Sequence, residues 1–301
     1  MSNSLSLFDP AEQPETHRAF VPRFPIFYPF PTVKASLFRR TINGITCTYS
    51  GADGENVPYT QTDRIWLEAI TTQAVKQKPH DLEHINSNDT VIELGRVSAA
   101  LRQAGISREG KRIEAARYSI LRIHRLNVDI KGTSHNNVYR RLLGDSFRIG
   151  EGKFVLTWAS RAADDDAQPE LPGMNCIRLS KGFCLSIWKG GAIPVVHEHY
   201  ISLHGPRQQD VYLWLSLRLF NLQEPADIER DSLLEQFHGH VVNPARRRIL
   251  WSEFKHDLYY IKSTYYNQAD IKLTDTGIRL LPSPPLIEPN DRRAGHIPFI
   301  R

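Results

Sequence analysis

The chain of 301 residues is long enough for two domains, and its 41% hydrophobic and 24% charged residues are typical of a globular protein. Its formal net charge is +5 and its sequence pI about 9.1, which is compatible with a polyanionic partner. No stretch approaches the roughly 18 apolar residues of a membrane span, and no signal-peptide pattern is present, so we expect a cytoplasmic protein. Three cysteines without Cys-x-x-Cys spacing predict buried free thiols.

The N-terminal residues 1–55 are predicted to form an extended arm followed by a β-hairpin. Five prolines between Pro14 and Pro31 disfavour a helix in the arm, and we expect its aromatic residues to pack on a domain. Two alternating segments, 36–42 and 45–49, flank Asn43-Gly44, a dipeptide typical of the tight turn of a hairpin.

Residues 56–158 follow the order of a winged helix-turn-helix. A helix capped by Thr62 or Asp63 precedes a short apolar segment, two further helices, and strands that would form the wing. The predicted ranges are 64–76 for the first helix, 91–94 for the apolar segment, 96–104 and 111–126 for the later helices, and 128–132, 146–149 and 153–158 for the strands.

Positive charge is concentrated in this region. From Gly95 to Gly150 there are twelve Lys and Arg against four Asp and Glu, an excess of eight, although the whole chain carries only +5. On the long helix, helical periodicity predicts a core face formed by Ile113, Ala116, Ile120 and Ile123. The candidate DNA-binding residues are Lys111, Arg112, Arg117, Arg122 and Arg125 on that helix, with Arg140 and Arg141 in the wing.

Residues 159–173 are acidic and contain Pro and Gly, which predicts a linker or exposed loop. The same order of elements recurs over 174–285 and predicts a second winged-helix domain, followed by a tail over 286–301. Its predicted helices cover 210–220, 230–237 and 245–262, and its hairpin pairs 269–274 with 278–281. The expected fold is therefore α+β, with two tandem winged-helix domains.

The long helix of the second domain has two distinct sides when about 100° is allowed per residue. Its predicted core stripe contains Leu250, Trp251, Phe254, Leu258 and Ile261. Its candidate DNA-binding residues are Arg246, Arg247 and Arg248 in the first turns, and Lys255 and Lys262 further along. A cationic line on the third helix of a helix-turn-helix suits a major-groove reader, so both domains predict binding to duplex DNA. The alternative is a solvated helix face with ordinary surface charge.

One enzymatic alternative rests on His197-Glu-His199 and Tyr200. On a strand both histidines would share a face, as in metal-dependent DNA-nicking initiators of rolling-circle replication. The intervening Glu198 and the adjacency of Tyr200 disfavour this interpretation. Neither a nucleotide-binding phosphate loop nor a metalloprotease motif is present. We therefore expect no catalytic activity, no cofactor and no metal. A transcriptional repressor has the same DNA-binding features and remains an alternative.

Short motifs in both halves resemble the RepA-type replication initiators of bacterial plasmids. In the first half they are Val57-Pro-Tyr59, Arg64, Thr72-Gln-Ala-Val-Lys76, Leu94-Gly-Arg96 and Gly105-Ile106. In the second half they are Leu179-Ser-Lys-Gly-Phe183, Ile187-Trp188, Asp210-Val-Tyr-Leu-Trp-Leu215, Arg218-Leu219, Gln236-Phe237 and Leu281-Pro-Ser-Pro-Pro285. The resemblance extends from about Pro58 to Pro285.

This resemblance implies a bacterial cytoplasmic protein with tandem winged-helix domains. It implies binding to repeated sites (iterons) in the double-stranded DNA of a plasmid origin, and opening of adjacent A·T-rich DNA. It also implies recruitment of the host initiator and the replicative helicase, and it leaves open whether the chain acts as a monomer or a homodimer.

Overall fold

The computed structural model describes residues 18–27, 29–42, 44–95, 110–132, 146–151, 175–220, 222–239 and 241–287. The helices are α1 (Phe24–Phe27), α2 (Gln61–Lys76), α3 (Gly110–His124), α4 (Lys181–Ser186), α5 (His197–Ser202), α6 (Pro206–Leu219), α7 (Arg230–His238) and α8 (Pro244–Tyr265). The strands are β1 (Arg18–Pro22), β2 (Leu37–Ile42), β3 (Ile45–Gly51), β4 (Val91–Gly95), β5 (Leu126–Gly132), β6 (Ser146–Arg148), β7 (Asn175–Arg178), β8 (Ala192–Val196), β9 (Ala226–Glu229), β10 (Ile271–Leu273) and β11 (Gly277–Leu280). The α+β class is confirmed.

The first unit has the predicted succession of α2, β4, α3 and a β5–β6 hairpin. The hairpin belongs to an antiparallel sheet in the order β2-β3-β5-β6, so the predicted N-terminal hairpin is an integral part of this unit. Gly44 has φ 78°, a backbone conformation that this residue adopts without strain at the β2–β3 turn. The predicted helix over 96–104 and the predicted strand over 153–158 lie outside the described residues.

Helix α2 begins two to three residues earlier than predicted. Its N-cap is Thr60, whose hydroxyl accepts from the backbone N–H of Asp63 at 3.1 Å. The Asp63 carboxylate in turn accepts from the backbone N–H of Thr60 at 2.8 Å. Asp63 therefore closes a capping box from the third helical position, instead of occupying the cap itself.

The second unit has the predicted winged-helix order, α6, β9, α7, α8 and the β10–β11 hairpin, with its sheet ordered β10-β11-β9. Gly239, at φ 72°, ends α7. Asn243 caps α8 by accepting from two backbone N–H groups, and Pro244 fits the first helical position. The predicted core stripe of α8 is confirmed for Leu250, Phe254, Leu258 and Ile261, whereas Trp251 is half-buried and stacks on Phe254.

The N-terminal segment is not a separate extended arm over its described residues. Strand β1 pairs antiparallel with β8, and Ala19, Val21 and Ile26 lie in the core of the second unit. Phe24 and Phe30 lie in the core of the first unit, so the aromatic residues pack as predicted. Residues 24–27 form the short helix α1, which corrects the prediction of an extended backbone there.

The division between the two cores also differs from the predicted boundary at 173/174. Ile177, Leu179, Phe183 and Trp188 are buried in the core of the first unit, together with α2 and α3. The core of the second unit begins at Ile193 along this part of the chain. Strand β7 follows the predicted linker in sequence, and it pairs with β4 of the first unit. This pairing attaches the residues after the linker to the first unit.

Buried polar contacts join α2 of the first unit to α5 and α6 of the second. The Arg64 guanidinium donates to both carboxylate oxygens of Asp210 at 2.8 Å, and both side chains are nearly inaccessible to solvent. One turn further along α2, Glu68 Oε1 lies 3.0 Å from Nδ1 of His197. Burial raises the pKa of the Glu68 carboxyl, although the neighbouring His197 opposes this shift. The two units therefore meet through specific, directional contacts.

Cys47, Cys176 and Cys184 are buried free thiols, as predicted. Among the helices of the described ranges, none combines the length and apolar character needed to cross a membrane.

Substitution of Arg64 by Ala should lower the free energy of unfolding by about 3–5 kcal/mol, because it leaves the buried Asp210 carboxylate without its partner. Urea denaturation of the full chain measures this loss. The matched control is Arg279→Ala, which removes an Arg–Asp227 pair of the same bidentate geometry that is exposed to solvent. The control should change stability little. Equal effects of the two substitutions would contradict the role assigned to the buried pair.

Candidate nucleic-acid interface

The exposed side of α8 is the leading candidate for contact with nucleic acid. At about 100° per residue, this side lies opposite the buried stripe of Leu250, Phe254, Leu258 and Ile261. Its members are all exposed to solvent: Ala245, Arg248, Ile249, Ser252, His256 and Tyr259. Arg246, in the first turn, is exposed as well. The helix therefore presents cations together with small and neutral side chains.

The acidic residues of α8 face α6, where one arginine pairs with both of them. Arg207 donates from Nη1 to Glu253 Oε2 at 2.6 Å and from Nε to the carboxylate of Asp257. Gln208 donates to the other oxygen of Asp257 at 3.2 Å. Because Asp257 is buried and both acids are paired, they repel an approaching polyanion little, and the exposed side keeps a positive balance.

The five candidate residues of α8 differ in their exposure and in their contacts. Arg246 and Arg248 are exposed. Lys255 and Lys262 are half-buried, and the Lys255 ammonium lies 5.8 Å from the centroid of the Trp251 ring. Arg247 instead forms an ion pair with Asp231 at the start of α7, and its guanidinium lowers the pKa of that carboxyl. Arg247 therefore links α8 to α7, and its contact with DNA stays a prediction.

The candidate residues of α3 are less available. Arg117 is exposed. Arg122 forms a salt bridge of 2.6 Å with the fully buried Asp63 and lies over the Tyr59 ring, which favours a structural role, and its assignment to DNA stays a prediction. Arg125 forms a partly exposed pair with Glu55 at 3.2 Å. The side chains of Lys111 and Arg112, and all of Arg140 and Arg141, lie outside the described part of the chain.

Three large exposed hydrophobic side chains on the described parts of these helices were not among the candidates predicted from sequence. Ile249 and Tyr259 on α8 are 49% and 42% exposed, and Tyr118 on α3 is 52% exposed. The helical periodicity already contains the signal for Ile249, since that residue lies on the side opposite the predicted core stripe. Because the candidates were chosen by positive charge, they did not include Ile249.

The structure does not assemble the nicking arrangement considered for His197, His199 and Tyr200. These residues begin helix α5 instead of continuing a strand, so the two histidines do not share a strand face. Tyr200 is 1% exposed, and burial raises the pKa of its hydroxyl well above the usual value. His197 contacts Glu68, and His199 packs against Tyr212 and Tyr265. A buried, protonated Tyr200 is a poor nucleophile for DNA.

No protein-family model and no curated protein matches the chain. Among solved structures, a selenomethionine crystal structure of domains 2 and 3 of RctB aligns with 89% of this chain and 97% of its own, at 12% identity and a TM-score of 0.49. A second crystal structure of RctB domains 2–3 aligns with 83% of this chain and 84% of its own, at 15% identity and a TM-score of 0.43. These likenesses are too distant to assign a function.

Substitution of Arg122 by Ala should lower the free energy of unfolding by about 1–3 kcal/mol, because Asp63 would lose its charged partner while keeping its backbone hydrogen bonds. Thermal and urea unfolding measure the loss. Arg117→Ala is the control on the same helix and should leave stability unchanged, since Arg117 is exposed. If Arg122→Ala unfolds like the wild type but binds DNA less tightly, the original assignment of Arg122 to DNA is right.

Proposed function

We propose that this protein binds specific sites in double-stranded DNA through its winged-helix units and acts as a plasmid replication initiator. The observation that carries the DNA-binding part is the exposed side of α8. It presents Arg246 and Arg248 to solvent while Arg207 pairs with the acidic residues on the side facing α6.

The position of α8 in the fold favours the major groove. An α-helix with its side chains is about 10–12 Å across, and the major groove of B-DNA is about 12 Å wide. In helix-turn-helix proteins the second helix of the motif enters this groove with its N-terminal residues closest to the base edges. Helix α8 follows α7 in that order, and Arg246 and Arg248 lie in its first two turns.

Some of the cationic residues would contact bases, and others would contact phosphates. Arginine pairs with guanine through two hydrogen bonds, which suits the exposed Arg246 and Arg248. Lys255 and Lys262 lie further along α8 and are half-buried, a position that suits contact with the phosphate backbone. In the first unit α3 would enter a second groove, with Arg117 as the exposed cation among its described side chains.

The initiator role is inferred from the motifs that resemble RepA-type initiators, over about residues 58–285. In this proposal the protein binds repeated sites in a plasmid origin, promotes opening of adjacent A·T-rich DNA, and recruits the host initiator and helicase. It catalyses no chemical step itself. A transcriptional repressor would use the same side of α8, so the arrangement of bound sites must distinguish the two functions.

Footprinting on the plasmid region that encodes the chain, with Mg²⁺ and without ATP, tests the initiator role. We expect regularly spaced protection of intact duplex beside an A·T-rich tract. A single protected palindrome at a promoter would instead support the repressor. A strand break with protein attached to the DNA end, read on the same gel, would contradict the non-enzymatic part of the proposal.

The double substitution Arg246→Ala/Arg248→Ala tests base reading. It should weaken binding to the footprinted site more than binding to random duplex, because each lost guanine contact removes about 1–3 kcal/mol of discrimination. Lys255→Ala, in contrast, should weaken binding to both DNAs alike and lower the salt dependence by about one ion. Titrations of both duplexes at several salt concentrations measure these effects. Equal losses on site and random DNA in the double variant would exclude base reading by Arg246 and Arg248.

A further inference from the structure

In the N-terminal half of α8 the centre of the exposed side is small and neutral, whereas the cations lie towards the edges. Ala245 and Ser252 are opposite the buried stripe, and Ile249 projects beside them one turn after Ala245. Arg246 lies on one side of Ile249 around the helix, and Arg248 lies on the other. In a helix that enters the major groove, such a central strip would lie nearest the floor of the groove.

Ile249 has no evident role in folding. Its side chain is 49% exposed, and it belongs to neither hydrophobic core of the described residues, whereas the next residue, Leu250, is 4% exposed. Isoleucine also has a lower helix propensity than alanine, so local helix stability does not explain its presence. An exposed aliphatic side chain between two arginines is complementary to a ligand with both apolar and negatively charged parts.

Duplex DNA has both parts in one groove. Thymine displays its C5-methyl group in the major groove, where apolar side chains contact it, and phosphates line the edges. A second protein is a poorer occupant, because a standard protein interface buries about 800 Å² on each partner. The apolar strip formed by Ile249 and Ala245 is only a few side chains wide and is flanked by positive charge.

We propose that Ile249, together with Ala245, reads thymine methyl groups in the DNA site, and that it thereby determines specificity alongside Arg246 and Arg248. This inference rests on the proposed binding of α8 in the major groove and adds the class of base that its centre recognises. We therefore expect the DNA site to contain thymine next to the guanine positions that the arginines would contact.

The probe is a duplex selected from a randomised library by the full-length wild-type protein. Single thymines in the selected site are then replaced one at a time by deoxyuridine, which removes the C5-methyl group and leaves base pairing intact. At one or two central positions we expect affinity to fall about three- to fivefold, the effect of exposing one apolar carbon group. Replacement at the other thymines should have little effect and serves as the internal control.

Protein variants identify the residue that makes the contact. Ile249→Ala should bind the thymine duplex about three- to fivefold more weakly than the wild type does. It should also bind the thymine and uracil duplexes equally well. Ile249→Val keeps branched methyl groups and should retain most of the preference. Because residue 249 is exposed, both variants should melt at the wild-type temperature, so a change in binding is not a change in folding.

The outcomes separate this inference from the proposed function. If the wild type selects a site and every uracil duplex binds as tightly as thymine, methyl reading is wrong while DNA recognition stands. If Ile249→Ala keeps the full preference for thymine, another residue reads the methyl group and the assignment to Ile249 is wrong. If no sequence is enriched and duplex binding is absent, both the inference and the proposed DNA-binding function fail.

Discussion

The buried pair of Arg64 and Asp210 is the contact on which the arrangement of the molecule depends. It joins α2, which is packed in the core of the first unit, to α6, which is packed in the core of the second. A buried charge is costly unless its partner stays in place, so the geometry of this pair resists relative movement of the two helices. The second α2 contact, from Glu68 to His197, and the β1–β8 pairing hold other parts of the same junction.

Helix α6 connects this junction to the candidate DNA-binding surface. Asp210 faces α2, while Arg207, three residues earlier, binds Glu253 and Asp257 of α8. The same helix therefore contacts the first unit and pairs with the acidic side of α8. In the proposed function, this arrangement sets the orientation of α8 relative to the first unit before DNA is bound. DNA binding then has a smaller entropic cost than it would have if two freely jointed units had to be ordered.

Elements with a strong local pattern were predictable from sequence. The core stripe of α8, its Asn243 cap and the β2–β3 hairpin follow from periodicities and turn residues within a short window. The winged-helix order of the second unit follows from the succession of these elements. The helix at His197 was missed because an alternating pattern of four residues is too short to distinguish a helical turn from a strand.

The candidate site was less predictable from sequence, because whether a charged side chain is paired or exposed depends on partners that are distant in sequence. Arg122 and Arg248 look alike in a helical wheel, yet Arg122 binds the buried Asp63, 59 residues away, and Arg248 is exposed. Arg247 similarly binds Asp231 on the preceding helix. Such pairings become visible only once the fold brings the elements together, and they give these arginines a structural partner that the sequence pattern does not indicate.

The most direct test of this account measures affinity for a footprinted site after insertion of base pairs between the segments protected by the two units. If the buried contacts hold the units at one spacing on one face of the duplex, an insertion of about five base pairs should abolish two-unit binding. An insertion of one full turn, about 10.5 base pairs, should do the same, because it restores the face of the helix but not the distance. Full affinity with the one-turn insertion would contradict the account, because it would show that the two units move independently.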